Sequence, residues 1–296
     1  MNELLLRVEN LHLHFGDGSH GVVKAVNGVS FGINQGETYG LVGESGSGKT
    51  TIGRSVIRIY NPTSGKIVFD GMDISARLDA PTCRRLRKDM QMIFQDPMSC
   101  LNPRKKVSEI VGEGLDVHGL YTGSKERREI IVDILRRVGL SGAHAERYPH
   151  QFSGGQRQRV GIARALVMKP KLIIADECIS ALDVSIQAQI VNLMKDIQQE
   201  THCAYLFIAH DLSMVKYISD RVGVLHKGYL VETGSAREIF SNPIHPYTKT
   251  LLSSVPQPNP RIEKLRRSPS YDLGDTTYAK AVMRKVNDEH FVLSSS

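Results

Sequence analysis

Thr38-Tyr39-Gly40-Leu41-Val42-Gly43-Glu44-Ser45-Gly46-Ser47-Gly48-Lys49-Thr50-Thr51 is a short apolar run, then a glycine-rich loop, then a lysine and two hydroxyls. The apolar run predicts a buried strand, and a helix is predicted over about Gly48 to Tyr60. The spacing Gly43-x4-Gly48-Lys49-Thr50 carries meaning in this strand–loop–helix context. Glycines let backbone N–H groups close on a polyphosphate, and the helix start adds positive dipole. Gly43, Glu44, Ser45, Gly46, Ser47, Gly48, Lys49, Thr50 and Thr51 are therefore candidate residues for binding the phosphates of a nucleotide. Lys49 suits the β- and γ-phosphates, and the Thr50 hydroxyl suits Mg²⁺. The plain alternative, a glycine-rich turn with an incidental lysine, fits the context less well.

Such a loop alone does not name the job, because GTPases, kinases and helicases share it. The rest of the chain sets bounds. It has 296 residues, 41% apolar and 23% charged, an ordinary globular balance. The net charge of +7 is spread over short clusters such as Arg84 to Lys88 and Lys125 to Arg128. Solvated helix faces account for these more simply than a polyanion site. The four cysteines, Cys83, Cys100, Cys178 and Cys203, lack zinc or iron–sulfur spacing. No apolar run approaches the roughly 18–20 residues that span a bilayer. A signal-peptide core is not expected, because Glu3, Arg7 and Glu9 interrupt the N-terminal stretch.

Working outward, Leu4 to Phe15 and Val22 to Ile33 alternate as strands, with Asp17-Gly18 as the turn between them. Ser64-Gly65 and Asp70-Gly71 bracket a strand over Lys66 to Phe69. From about Asp96 to Met168 the pattern is helical, as in the apolar face Ile130, Ile131, Ile134, Leu135 and Val138. We read it as a helical subdomain inserted in the nucleotide-binding core. Leu172 to Ala175 and Tyr205 to Ala209 are continuous apolar runs, as in strands buried on both faces. Gln187 to Glu200 forms a helix with the stripe Ile190, Val191, Met194 and Ile197. Val222 to Leu225 and Tyr229 to Glu232 form a hairpin around Lys227-Gly228. Beyond Val255 the prolines 256, 258 and 260 and a basic run mark a C-terminal extension. The expected organisation is a domain over 1–255 and an extension over 256–296.

Leu172-Ile173-Ile174-Ala175-Asp176-Glu177 ends a buried strand in two carboxylates, where ligands bind in parallel α/β sheets. Asp176 suits Mg²⁺, and Glu177 suits polarising an attacking water. Ser153, with Gly154, Gly155 and Gln156 at a helix start, forms a second anion cradle without a lysine. Ser153 is a candidate N-cap for the helix that runs on through Val160 to Met168.

Phe152-Ser153-Gly154-Gly155-Gln156-Arg157-Gln158-Arg159, followed by Asp176-Glu177, resembles the signature of ABC ATPases. The resemblance spans roughly residues 3 to 293. It implies a P-loop NTPase fold of the ABC type. The α/β architecture would comprise an N-terminal antiparallel β part, a RecA-like parallel-sheet core, a helical subdomain over about 96–168 and the C-terminal extension. Gln95 in Ile93-Phe94-Gln95-Asp96-Pro97 matches the Q-loop glutamine, a Mg²⁺ and water contact. Asp183 in Ser180-Ala181-Leu182-Asp183 matches the D-loop at the dimer interface. His210 matches the switch histidine at the γ-phosphate. Phe15 resembles the aromatic that stacks on adenine, or is a core residue. The resemblance implies ATP hydrolysis by paired subunits, with Ser153 to Gln156 of each completing the partner's site in trans. Glu177, His210, Gln95 and Lys49 are the implied catalytic residues.

Glu238-Ile239-Phe240-Ser241-Asn242-Pro243-Ile244-His245-Pro246-Tyr247-Thr248-Lys249 resembles the oligopeptide/dipeptide importer ATPases, most of all their F-type subunit. The tail ending Glu289-His290-Phe291-Val292-Leu293 resembles F-type subunits of Gram-positive bacteria. That branch implies peripheral placement on the cytoplasmic face of the membrane. It implies a second, non-identical D-type ATPase, two transmembrane permease subunits and an extracytoplasmic peptide-binding protein as partners, and no nucleic acid. Related importers of dipeptides, nickel or glutathione share this architecture. A soluble ABC protein acting on ribosomes or DNA is the alternative of another class. Cys178 stands where the family usually has proline. Some relatives carry a cysteine-rich motif in the extension, thought to bind an iron–sulfur cluster. This chain has no cysteine after Cys203, so no cluster is expected.

Overall fold

A computed structural model describes residues 4–16, 21–96, 100–180, 182–253, 278 and 281–294. The expected turn at Asp17-Gly18, Pro97, Ala181 and the junction at Val255 lie outside the described residues. The chain divides into two compact units, Met1–Ser75 with Phe207–Ser296, and Ala76–Leu206.

The first unit opens with strands β1 (Leu6–Phe15) and β2 (Val23–Ile33), paired antiparallel. Alternation sends Leu6, Val8, Leu11 and Leu13 inward against Val26, Val29 and Ile33. Strand β3 (Thr38–Val42) is buried along its whole length. Helix α1 (Lys49–Val56) follows the glycine-rich loop. It is shorter than the helix to Tyr60 that the sequence suggests. Arg58 takes a left-handed φ of 64°, and the Ile59 and Tyr60 amides both return to the Arg54 carbonyl. Branched Val56, Ile57 and Ile59 favour the helix weakly, and Pro62 bars Asn61 from helical backbone. Strands β4 (Ser64–Phe69) and β5 (Met72–Asp73) complete a four-stranded sheet in the order β2-β1-β4-β5.

The second unit is mostly helical. Its elements are α2 (Ala80–Asp89), β6 (Met90–Ile93), α3 (Val107–His118), α4 (Ser124–Arg137), α5 (Gly154–Leu166), β7 (Leu172–Asp176) and α6 (Val184–Thr201). Strands β6 and β7 run parallel, Met90 beside Leu172 through Ile93 beside Ala175. Ile131, Ile134 and Leu135 on α4, then Val138, are buried, as is the α6 stripe Ile190, Val191, Met194 and Ile197. Helix α5 reaches back to Gly154, so the signature glycines are its first turn. The division between the units falls within β8 (Ala204–Ile208), which is buried throughout.

Back in the first unit follow α7 (Leu212–Ile218), β9 (Arg221–His226), β10 (Tyr229–Ser235), α8 (Ala236–Ser241), α9 (Pro246–Ser253), β11 (Val282–Asn287) and β12 (His290–Ser294). Strand β9 runs parallel to β3, with Val42 beside Val224. Lys227 and Gly228, at φ 47° and 83°, make the tight β9–β10 turn. The C-terminal extension rejoins this unit. Strand β12 pairs antiparallel with β10, Glu232 beside Val292 and Gly234 beside His290. Strand β11 covers its other side and carries exposed Arg284 and Lys285, charges that suit a strand at a sheet edge.

Candidate active site

Buried β3 delivers the chain into the loop at Gly43, and the loop's glycines are required by its geometry. Gly43, Gly46 and Gly48 have φ of 151°, 79° and 106°. A Cβ on Gly43 would collide with the Leu225 carbonyl oxygen, and one on Gly48 would lie 2.5 Å from the Ala25 carbonyl oxygen. Gly48 is the N-cap of α1 and offers no side chain to its first amides. Those amides and the helix dipole form an anion-binding start. Lys49 is 4% exposed. Its Nζ donates to the Gly43 and Glu44 carbonyl oxygens at 2.7 and 2.8 Å. The buried Ser47 Oγ has no hydrogen-bond partner in the structure. A buried hydroxyl left over beside a helix start fits a phosphate oxygen. Thr50 and Thr51 lie half-buried on the first turn of α1.

His210 follows β8 and is exposed, just ahead of the α7 cap formed by Asp211. Phe15 closes β1 and is 40% exposed, so it is not core. Its ring meets Tyr60 edge-on at 5.4 Å, and Tyr60 accepts from Arg54 Nη1 at 3.0 Å. An open cavity of about 730 Å³ elsewhere in this unit, lined by His12, His14, Lys24 and Tyr278 among others, includes none of the loop residues.

The second unit brings together two further groups. Asp176, at the end of β7, is 3% exposed. Glu177 leaves the strand at a left-handed φ of 45°. For a residue with a side chain this conformation costs about 1–3 kcal/mol and is tolerated where surrounding contacts impose it. Here Ser180 imposes it, donating its N–H at 3.1 Å and its Oγ–H at 2.9 Å to the Glu177 carbonyl. The Glu177 carboxylate accepts from Gln95 Nε2 at 2.7 Å, so two residues from distant points of the chain share one contact. Cys178 is 3% exposed, and its thiol is pushed up to about 12 by burial and then by Asp176. It stays a protonated thiol, a small apolar filler in the turn where the resemblance has proline as the usual residue.

The other group is the α5 start. Ser153 Oγ accepts from the Gln156 amide at 3.3 Å, and Gln156 Oε1 accepts from the Ser153 amide at 3.1 Å, a reciprocal capping box. A side chain added to Gly154 would meet nothing within 4 Å, whereas at Gly155 it would come 2.9 Å from Ile186. Ser153, Gly154, Gly155 and Gln156 line a shallow concavity of about 440 Å³ that also includes Asp183, the N-cap position of α6.

A model of the family described as ABC transporter matches residues 26–180. The chain belongs to the ABC transporter family. A model of the oligopeptide/dipeptide transporter C-terminal region matches residues 231–275 of this ABC protein. It is 53% identical to the dipeptide transport ATP-binding protein DppF of Lactococcus lactis subsp. cremoris, covering 98% of this chain and 94% of the relative. It is 54% identical to the oligopeptide transport ATP-binding protein OppF of Streptococcus mutans, with the same coverage. OppF of Bacillus subtilis is 53% identical over 99% of this chain and 97% of its own length. Among solved structures, cbiO1 of Clostridium perfringens, part of the ABC transporter complex cbiONQ, superposes with a TM-score of 0.71. It is 30% identical and covers 81% of this chain and 92% of its own. The dimeric ATP-binding cassette MJ0796, in a post-hydrolysis state bound to ADP and Pi, also gives 0.71. It is 28% identical and covers 78% of this chain and 99% of its own. The fold is that of an ABC ATPase.

One contact of the ABC loop had no signal in the sequence. The Glu44 amide donates to the Tyr247 hydroxyl at 3.1 Å, from α9 far along the chain. Tyr247 was visible only as part of the Ile244-His245-Pro246-Tyr247 phrase.

Proposed function

We propose that this ABC protein is the ATP-hydrolysing subunit of an importer that energises oligopeptide uptake across the cytoplasmic membrane. One observation supports the reading: a single chain holds two different glycine-bearing helix starts suited to an anion. One has a buried lysine and an unpartnered serine hydroxyl, and the other is a lysine-free capping box. A lone ATPase needs only the first. A pair of subunits that close over shared nucleotides uses both.

Gly43 to Thr51 bind the ATP phosphates, and Phe15 stacks on the adenine. Lys49 leaves the loop's own carbonyls for the β- and γ-phosphate oxygens. Thr50, Gln95 and Asp176 would hold Mg²⁺, which neutralises charge on the phosphate oxygens. Glu177 accepts a proton from the attacking water, with Gln95 keeping its carboxylate in place. His210 contacts the γ-phosphate. Ser153, Gly154, Gly155 and Gln156 complete the site of the partner, and Asp183 lies at that interface. Residues 96–168 act as the helical subdomain of the cassette.

The partners are a non-identical D-type ATPase, two permease subunits and an extracytoplasmic peptide-binding protein, with this chain peripheral on the cytoplasmic face. Affinity purification of the tagged chain from membranes tests this. Recovery of a second ABC ATPase with two integral membrane proteins is the expected result. Recovery of ribosomes or DNA without membrane subunits would overturn it.

A further inference from the structure

The Gly43–Glu44 peptide is gripped on both sides. Its carbonyl accepts from Lys49 Nζ at 2.7 Å, and its N–H donates to Tyr247 Oη at 3.1 Å. In a trans peptide these groups point in opposite directions within one rigid plane. Turning that plane moves the Lys49 anchor and the loop amides that follow it. The tyrosine side of the grip therefore sets the resting geometry of the lysine side.

Tyr247 is itself fixed by a buried polar assembly. It is 2% exposed, and burial pushes its hydroxyl up to about 12, so it stays neutral. Its ring stacks on His226 at 4.1 Å, and His226 Nδ1 shares a 2.7 Å hydrogen bond with the Tyr278 hydroxyl. The Tyr247 amide donates to His245 Nδ1 at 3.1 Å. The His245 and Ile244 amides donate to the two oxygens of the Glu232 carboxylate at 3.0 and 2.8 Å. Glu232 is fully buried on β10 and meets His290 Nε2, from β12, at 2.7 Å. Contacts that tie the C-terminal extension to the support of the phosphate loop include His290 on Glu232 and Tyr278 on His226.

We propose that Tyr247 is a positioning residue for ATP binding, held in place through Glu232 by the C-terminal strand β12. The inference rests on the phosphate-loop assignment. It gives the Ile244-His245-Pro246-Tyr247 phrase a physical task, which is to orient the first peptide of the loop. Buried hydrogen bonds that share partners hold one another in place, and loss of one partner frees the others.

The test uses the full chain within its assembled transporter. Tyr247→Phe removes one oxygen and keeps the ring. It should raise the KM for ATP by up to about tenfold, the upper scale of one lost hydrogen bond, with kcat changed less than about twofold. Glu232→Gln should raise it in the same direction, by about threefold. The double variant should fall short of the product of the two changes, because both act through one path. An unchanged KM in Tyr247→Phe overturns the proposal, and a full product overturns the link to β12. Hydrogen exchange on the wild-type chain gives a reading that needs no variant. The Glu44 amide should exchange slowly, and fast exchange there also overturns it. Lys49→Ala separates the two layers. If it too leaves ATP affinity unchanged, the phosphate-loop reading fails, whereas a loss confined to Lys49→Ala sinks only the role of Tyr247.

Discussion

Gly43→Ala is the substitution whose cost the structure sets most tightly. At φ 151° an alanine occupies backbone that L side chains rarely adopt, at about 1–3 kcal/mol. The added Cβ collides with the Leu225 carbonyl oxygen and lies 2.9 Å from Ser47 Oγ. Leu225 cannot recede alone, because its strand is registered to β3 through Val42 beside Val224. Overpacking of this kind adds about 1–3 kcal/mol. The total is about 4 kcal/mol. At about 2–4 °C per kcal/mol for a chain of this size, Tm falls by about 8–16 °C. Gly71→Ala is the control, since it also has positive φ, 75°, but nothing within 4 Å of an added Cβ. It should cost about 1 kcal/mol and leave ATP binding alone. Thermal melts followed by circular dichroism, with ATP titrations by calorimetry, read both effects. Gly43→Ala melting within about 2 °C of wild type, or no lower than Gly71→Ala, would refute the reasoning.

Lys49→Ala removes the charge proposed to face the phosphates. ATP affinity should fall about a hundredfold, the scale of a charge-assisted contact, and equal affinity in a fluorescent-nucleotide titration counts against the loop assignment. His226 is pushed down to about 4, first by burial and then by Lys227 and His245. The unfolded ring titrates near its ordinary value of about 6.5, so between these values the unfolded chain holds the extra proton. That stability is fully present above about pH 6.5, declines as pH falls, and is spent below about 4. His226→Phe should flatten the pH dependence of the urea midpoint in this window; an unaltered dependence would contradict the buried neutral histidine.

Local pattern made much of this protein legible. The alternation in β1 and β2, the buried runs of β3 and β7, the stripe on α6 and the turn at Lys227-Gly228 all follow from periodicity and turn chemistry acting over a few residues. The phosphate loop was legible because its chemistry demands glycine at fixed points. Part of what escaped was set at a distance. Helix α1 stops at Val56, where weak helix formers and the approach of Pro62 let Arg58 turn left-handed, although the apolar pattern runs on to Tyr60. Strand β11 carries charges on an exposed edge and has no apolar rhythm, so it read as extension. The Tyr247 to Glu44 contact joins residues 203 apart. Such a pairing depends on tertiary packing of α9 that no window of sequence contains. The Gln95 to Glu177 contact, 82 residues apart, was reachable only through family resemblance.

The proposed role of Glu177 is to activate the water that attacks ATP. Glu177→Gln keeps the shape and the Gln95 contact while removing the base. Single-turnover ATP hydrolysis by the assembled complex, with ATP binding measured on the same preparation, is the direct test. Retained binding with turnover reduced at least about a hundredfold is the predicted result, the usual scale of a lost general base. Turnover near that of wild type would contradict the account.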